Sequence, residues 1–436
     1  MDPMTAGIVI TVFLVVILAS GLWIGMALAA AGYVAMAFFT SRPPGLIFGS
    51  TLWGSNNSWA LTALPLFIWM GEILFRTRLA EDMFRGLSPW VQRIPGRLLH
   101  TNVIGCAIFA AISGSSAATA ATIGKMTVPE LRSRGYGDFM IVGSLAGSGT
   151  LGLLIPPSIM MIVYGVAAQV SIGRLFIAGI IPGLLLMLIF SAIVAGYALM
   201  KPDHIPAREP RLSLKAKLWE SRRLIPVSVL IILVLGCIYG GIATPTEAAS
   251  IGVAGSLALA LLSGGLDLST FWGSVMAATR TSAMIGLILS GAAFLSTAMG
   301  FTGLPEQFAT WIIAMNLPQP ALLAALVCIF LVMGCFIDGI SMIVLTTSVL
   351  LPAVQSAGLD LLWFGIFVVL LVEIAQITPP VGFNLYVLQS LANRSIGYIA
   401  LAALPFFLGL LVLIVLITLA PDVVMWLPAQ MLGQSG

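Results

Sequence analysis

The chain is poor in charge. Only 8% of its 436 residues are Asp, Glu, Lys or Arg, against roughly 25% in an ordinary soluble domain. A soluble fold of this length could not cover its surface with so few. Histidine is scarcer still: His100 and His204 are the only two, and neither has a nucleophile arrangement nearby, so the machinery of an esterase or protease is missing. No glycine-rich loop ends in Lys-Ser or Lys-Thr, so the chain has no phosphate cradle for ATP, and energy must come from an ion gradient or a separate subunit. The four cysteines, Cys106, Cys237, Cys328 and Cys335, sit inside apolar runs without metal-site spacing and read as reduced packing residues. The net charge of +3 is scattered and makes no nucleic-acid footprint. Residues Met1 to Gly7 lack a basic n-region, so the apolar start reads as a retained segment.

What is abundant is hydrocarbon. Hydrophobic residues make up 60% of the chain and come in runs such as Gly7 to Thr40, Leu224 to Ala243, Leu322 to Ile337 and Ile396 to Ala420. Most runs exceed the ~20 residues that a spanning helix needs. The 45 glycines and 24 prolines fit a membrane bundle, where neighbouring helices satisfy backbone groups freed at breaks. The expected fold class is an all-α polytopic membrane protein.

The polar stretch Lys201 to Arg223 divides the chain near its midpoint. Laying the halves over each other at an offset of 223 residues matches Gly32 with Gly255, Pro95 with Pro318, Pro129 with Pro352, Gly135 with Gly358, and Pro156-Pro157 with Pro379-Pro380. Such a register argues for an internal repeat. The segment Arg76 to Arg97 carries five arginines whereas its counterpart, Met299 to Pro320, has no basic residue. By the positive-inside rule, first-half loops are then cytoplasmic and their counterparts face out, which makes the repeats inverted.

Inversion requires an odd number of crossings per repeat. His100 to Lys125 has basic flanks at both ends and is too short for two crossings, so it reads as a re-entrant hairpin with its tip at Ser113-Gly114-Ser115-Ser116. Its counterpart is Ala321 to Leu351, with a tip near Cys335 to Gly339. Each repeat then has about five crossings plus one hairpin. The expected division is first-repeat scaffold helices at 1–75, an amphipathic arm at 76–97, a hairpin and broken-helix transport region at 98–200, and a cytoplasmic linker at 201–223. Second-repeat scaffold helices follow at 224–298, a connecting arm at 299–320, the second hairpin and broken-helix region at 321–420, and a tail at 421–436. Leu79, Met83, Leu87 and Trp90 or Val91 give the first arm a face suited to lipid.

Backbone breaks at membrane depth are the main functional signal. Gly143, Gly147, Gly149 and Gly152 lead into Pro156-Pro157, and Ile377-Thr378 leads into Pro379-Pro380. Paired prolines remove amide donors, and such backbone survives at depth only where protein or a polar cavity satisfies it. A break beside a hairpin tip supplies carbonyls for a hard cation and amides for an anion. Two meeting places follow: Ser113 to Ser116 with Ser148, Gly149, Thr150 and Pro156 to Ser158, and Asp338-Gly339 with Thr378 to Gly382. Ser115, Ser116, Thr119 and Thr122 add hydroxyls, although small polar residues also serve plain helix packing. Asp338, the only charge between Glu306 and Asp360, is either part of a cation or substrate environment or a helix cap. Glu373 is a cation ligand, a partner for a positive residue, or structural. Glu247 reads first as the acid of a helix start at Thr244, and Arg280 either faces a neighbour or snorkels.

The runs Ile112-Ser-Gly-Ser-Ser-Ala-Ala-Thr-Ala-Ala-Thr122, Gly149-Thr-Leu-Gly-Leu-Leu-Ile-Pro-Pro-Ser158, Ala243-Thr-Pro-Thr-Glu-Ala-Ala249 and Ile377-Thr-Pro-Pro-Val-Gly-Phe-Asn384 closely resemble the large membrane subunit of tripartite ATP-independent periplasmic (TRAP) transporters. The resemblance runs through nearly the whole chain. It implies a sodium-coupled importer of organic acids in the bacterial inner membrane, working by an elevator mechanism with a small four-helix membrane subunit and a periplasmic substrate-binding protein. It also implies sodium ions as the only coupling cofactor, in environments that include Ser115, Gly149, Asp338 and Thr378, with solute between the tips. No small-subunit pattern precedes the large-subunit one, so the small partner is expected as a separate chain. A stand-alone ion-coupled carrier is the nearest rival; a channel lacks a filter motif, and a membrane enzyme lacks a clustered catalytic set.

Overall fold

The computed structural model describes residues 3–77, 79–207, 213–304, 307, 310, 318–334, 337–379 and 382–432. Pro380 and Cys335 lie outside the described residues, as does most of the expected 299–320 arm. Helices account for the architecture. In the first half they are α1 (Pro3–Ala19), α2 (Ile24–Phe39), α3 (Pro44–Asn56), α4 (Ala63–Phe75), α5 (Leu79–Val91), α6 (His100–Ser113), α7 (Ser116–Ser133), α8 (Asp138–Leu154), α9 (Ile159–Ala168) and α10 (Ile172–Met200). After the linker come α11 (Leu214–Ser221), α12 (Ile225–Tyr239), α13 (Pro245–Leu262), α14 (Leu268–Thr302), α15 (Gln319–Gly334), α16 (Gly339–Ser356), α17 (Leu361–Gln376), α18 (Phe383–Ala392), α19 (Ile396–Leu419) and α20 (Asp422–Leu432). Five of these runs are long and apolar enough to cross a bilayer, or up to eight spans if each bent pair counts as one.

The two halves repeat as the proline register predicts. Helix α7 starts at Ser116 and α16 at Gly339, a separation of 223, and both end at the same offset, at Ser133 and Ser356. Their N-caps, Ser115 and Asp338, are equivalent positions. Gly135 and Gly358, which follow these helices, both take left-handed backbone. The match is incomplete: α3 and α4 meet at a 59° bend around Asn57, whereas the equivalent stretch of α14 runs unbroken through Arg280. The bend falls inside the stretch expected as first-repeat scaffold helices at 1–75. Within the 421–436 tail, α20 occupies Asp422–Leu432.

Packing crosses between the halves. Helix α7 packs against α18, and in the equivalent relation α16 packs against α9; α8 lies along α19 and α10 along α17. Separately, α2 packs along α14 and α13 along α4. At the end of the bundle that holds the arm, Asp138 fastens the first group: its carboxylate accepts from Arg132 Nε and from Arg394 Nε, each at 2.6 Å, and Arg132 Nη2 also donates to Ala392 O at 2.7 Å. The Asp138 hydrogen bond raises the Arg394 guanidinium above its usual range.

The arm behaves differently from the expectation of a lipid-facing helix. Met83, Phe84, Leu87 and Val91 of α5 are buried, packed against α6 and the α11 region. Arg223 reaches Asp82 at 3.2 Å and Trp90 Nε1 donates to Ser221 Oγ at 2.6 Å. The arm's apolar stripe is therefore covered by protein, and the two amphipathic segments brace each other. Glu247 takes its expected structural place in a capping box with Thr244. Arg280 is exposed on α14.

Candidate functional site

Helices α6 and α7 form the first hairpin. At 14 and 18 residues they extend about 21 and 27 Å, short of the ~30 Å hydrocarbon core. The chain reverses because Gly114 adopts left-handed backbone (φ +57°), which glycine accepts without steric cost. Ser115 then caps α7, accepting from Ala118 N at 3.5 Å. Three oxygens gather at this tip: Ser113 Oγ and Thr119 Oγ1 are 2.8 Å apart, and both donate to Ser115 O, at 3.3 and 2.7 Å.

The first tip meets the first break. Helix α8 ends at Leu154, Pro156-Pro157 is a cis pair, and α9 restarts at Ile159 behind a Ser158 cap that accepts from Met161 N at 3.3 Å. Ile159 N donates to Gly114 O at 3.3 Å. Gly152 permits this contact, since a Cβ there would stand 2.7 Å from the Ser115 carbonyl.

The second hairpin is α15 and α16. The Asp338 carboxylate accepts from Ile340 N at 3.1 Å, from Ser341 N at 3.2 Å and from Ser341 Oγ, which is helix-capping geometry. Gly339 packs on α17, where a Cβ would stand 2.5 Å from Val372 and 3.1 Å from Gln376 Nε2; Met160 of α9 is also 3.1 Å away. Thr378, one turn beyond Ile374, donates to its carbonyl at 2.7 Å. The start of α9 thus touches both tips: Ile159 meets the first and Met160 the second.

Further polar groups are buried between these contacts. Ser148 Oγ, Thr122 Oγ1, both carboxylate oxygens of Glu373, Gln376 Oε1 and both amide atoms of Asn384 are enclosed without a hydrogen-bond partner. Asn384 Nδ2 lies against Gly149. The Thr150 hydroxyl, which donates to Gly147 O at 2.8 Å, is the polar neighbour of Glu373. Ser116 and Pro156 are also buried, while Pro379 is exposed. Sequence reasoning missed Asn384 and Gln376, although an amide at either position stands out in an otherwise apolar run. A cavity of about 310 Å³ lies apart from these groups, between Ser55 and Ser58 at the α3–α4 bend, Ser296 of α14, Gln169 after α9, and Thr347 of α16.

Two hairpins whose tips converge on one interrupted span, in an apolar all-α bundle, define a polytopic membrane transport protein. The chain belongs to the family of the DctM component of the tripartite ATP-independent periplasmic transporter, whose profile matches residues 11–423; it is a permease component and not an enzyme. It is 33% identical over 385 residues to the C4-dicarboxylate TRAP transporter large permease protein DctM of Pseudomonas aeruginosa, covering 88% of this chain and 89% of that one. It is 32% identical over 371 residues to the ectoine/5-hydroxyectoine TRAP transporter large permease protein UehC of Ruegeria pomeroyi, covering 84% and 86%. Among solved structures, the YdaH transporter of Alcanivorax borkumensis shares the fold at a TM-score of 0.62 and 16% identity, covering 93% of this chain and 97% of that one.

Proposed function

We propose that the chain carries a small organic acid inward across the bacterial inner membrane, coupled to sodium, together with a small four-helix membrane subunit and a periplasmic binding protein that delivers the solute. The observation that carries this reading is the convergence of both hairpin tips on Ile159 and Met160. A solute carboxylate held near the start of α9 meets the positive end of the helix dipole, although the Ile159 and Met161 amides themselves are engaged by Gly114 O and Ser158 Oγ. The oxygens of Ser113, Ser115 and Thr119 offer a hard cation the ligand type it prefers, and the equivalent environment contains Asp338, Gly339, Thr378 and Pro379. Ser116, Ser148, Gly149, Thr150, Pro156 and Glu373 complete the proposed solute and ion surroundings.

The mechanism proposed is an elevator. The 223-residue repeat and the arginine asymmetry support two inverted halves, which alternate in role while the site stays inside one moving unit. The elements around Asp138, from both halves, would form that unit, and α2, α4, α13 and α14 the scaffold. The two relatives bear the names of different solutes at nearly equal identity, so overall likeness does not select among a dicarboxylate, a sialic acid or a similar carboxylate.

The test is uptake into proteoliposomes holding both membrane subunits, with the binding protein supplied or withheld. Uptake only when it is supplied supports the tripartite reading. Equal uptake without it would make the chain a stand-alone carrier.

A further inference from the structure

The linker re-enters the bundle through α11, which runs by a single 3-10 turn into α12, so that Leu214–Tyr239 is one apolar run. Leu214, Leu218 and Trp219 are 66%, 57% and 61% exposed. Leu214 and Leu218, at i and i+4, share a face that Trp219 flanks, and exposed Ile225, Val229 and Ile232 follow along α12. The first two turns of this run lie amid Lys215, Lys217, Arg222 and Arg223. Among the described residues only one of these four cations has an acidic partner: Arg223 engages both Asp82 and Glu220, each at 3.2 Å. Lys217 and Arg222 sit instead over indole rings, of Trp90 at 5.5 Å and of Trp219 at 3.5 Å. Such stacking leaves their charge uncompensated. Trp90 is itself 45% exposed.

We propose that Leu214–Arg222, with Trp90 of the arm, is a binding surface for the headgroups of anionic phospholipids. The leucines and Trp219 enter the acyl boundary next to the exposed residues of α12. Lys215, Lys217 and Arg222 meet the phosphates, and the two indoles occupy the headgroup level where Trp is characteristically found. A basic segment directly adjoining a membrane span is the arrangement that attracts anionic lipid. The exposed residues lie at one end of Leu214–Tyr239, a run long and apolar enough to cross a bilayer, which favours the headgroup boundary over a soluble partner. The contact also has a mechanical setting. Asp82–Arg223 and Trp90–Ser221 tie α11 to the arm that packs on the first hairpin, so lipid held here anchors the brace.

The experiment is photocrosslinking of the full chain in nanodiscs, using diazirine-bearing phosphatidylglycerol or phosphatidylcholine in the same background, with labelled residues mapped by mass spectrometry. Phosphatidylglycerol should label 214–219 at least roughly fivefold more than phosphatidylcholine, the factor that about 1 kcal/mol from a single basic side chain near an anionic surface implies. The combined change Lys215→Gln, Lys217→Gln and Arg222→Gln should abolish that preference. Labelling at 225–232 should be alike for both lipids in both proteins, and it reports that the variant is still folded in the membrane. Equal labelling of 214–219 by the two lipids, or labelling at 225–232 with none at 214–219, would overturn the proposal and point to water or protein over this surface. Neither outcome depends on the solute or the coupling ion.

Discussion

The amide of Ile159 donates to the carbonyl of Gly114 across 3.3 Å, so the second half of the first broken span is fastened to the tip of the first hairpin. Each segment thereby satisfies a backbone group that its neighbour's interruption has freed, in a setting where an unmet group costs several kcal/mol.

The tip contact should be sensitive to one methyl group at Gly152. Gly152→Ala places a Cβ against the Ser115 backbone, which cannot swing aside as a side chain would, and overpacking of this kind costs about 1–3 kcal/mol. Thermal melting should fall and uptake should be lost. Gly236→Ala, where a Cβ meets open space, should behave like the wild type; identical melting of the two variants would refute the tip contact.

Asp338 separates capping from charge. Asparagine also caps helices well, so Asp338→Asn should fold, whereas Asp338→Ala should lose about 1 kcal/mol with the cap. If the carboxylate contributes to a cation environment, Asp338→Asn should raise the sodium concentration needed for half-maximal uptake. An unchanged sodium response with lowered stability only in the alanine variant would assign Asp338 to capping alone.

Asp138→Asn removes the negative charge shared by Arg132 and Arg394 and one of the two oxygens that accept from them. Arg394 is half exposed, so solvent screening keeps the loss small. The wild type should melt higher than the variant in low salt, with the gap narrowing as salt is added. A gap indifferent to salt would mean that the Asp138 pairs contribute little.

Topology can be read by labelling. Single cysteines at Arg93 and Lys215 should resist a membrane-impermeant thiol reagent applied from the periplasm and react once the membrane is opened. Efficient labelling from outside would reverse the orientation inferred from the arginines.

Much of this was legible from spacing alone. Proline and glycine register gave the 223-residue repeat because those residues end helices and make turns wherever they fall, and Ser115 and Asp338 duly cap equivalent helices. Partners across the halves were not legible. Nothing in the neighbourhood of Asp138 signals Arg394, and the arm's stripe of Met83, Leu87 and Val91 looks the same whether lipid or protein covers it. The bend near Asn57 escaped because Gly54 to Ser58 contains no proline. Asn384 and Gln376 flank the proline pair, whose break in the backbone is the stronger signal in the sequence.

The central claim is that sodium drives solute entry through the hairpin unit. Uptake should be measured in proteoliposomes containing both membrane subunits with the binding protein outside, first with an inward sodium gradient, then with sodium absent on both sides and an inward proton gradient imposed. The account predicts accumulation under the first condition and none under the second. Undiminished uptake without sodium that follows the proton gradient would contradict it.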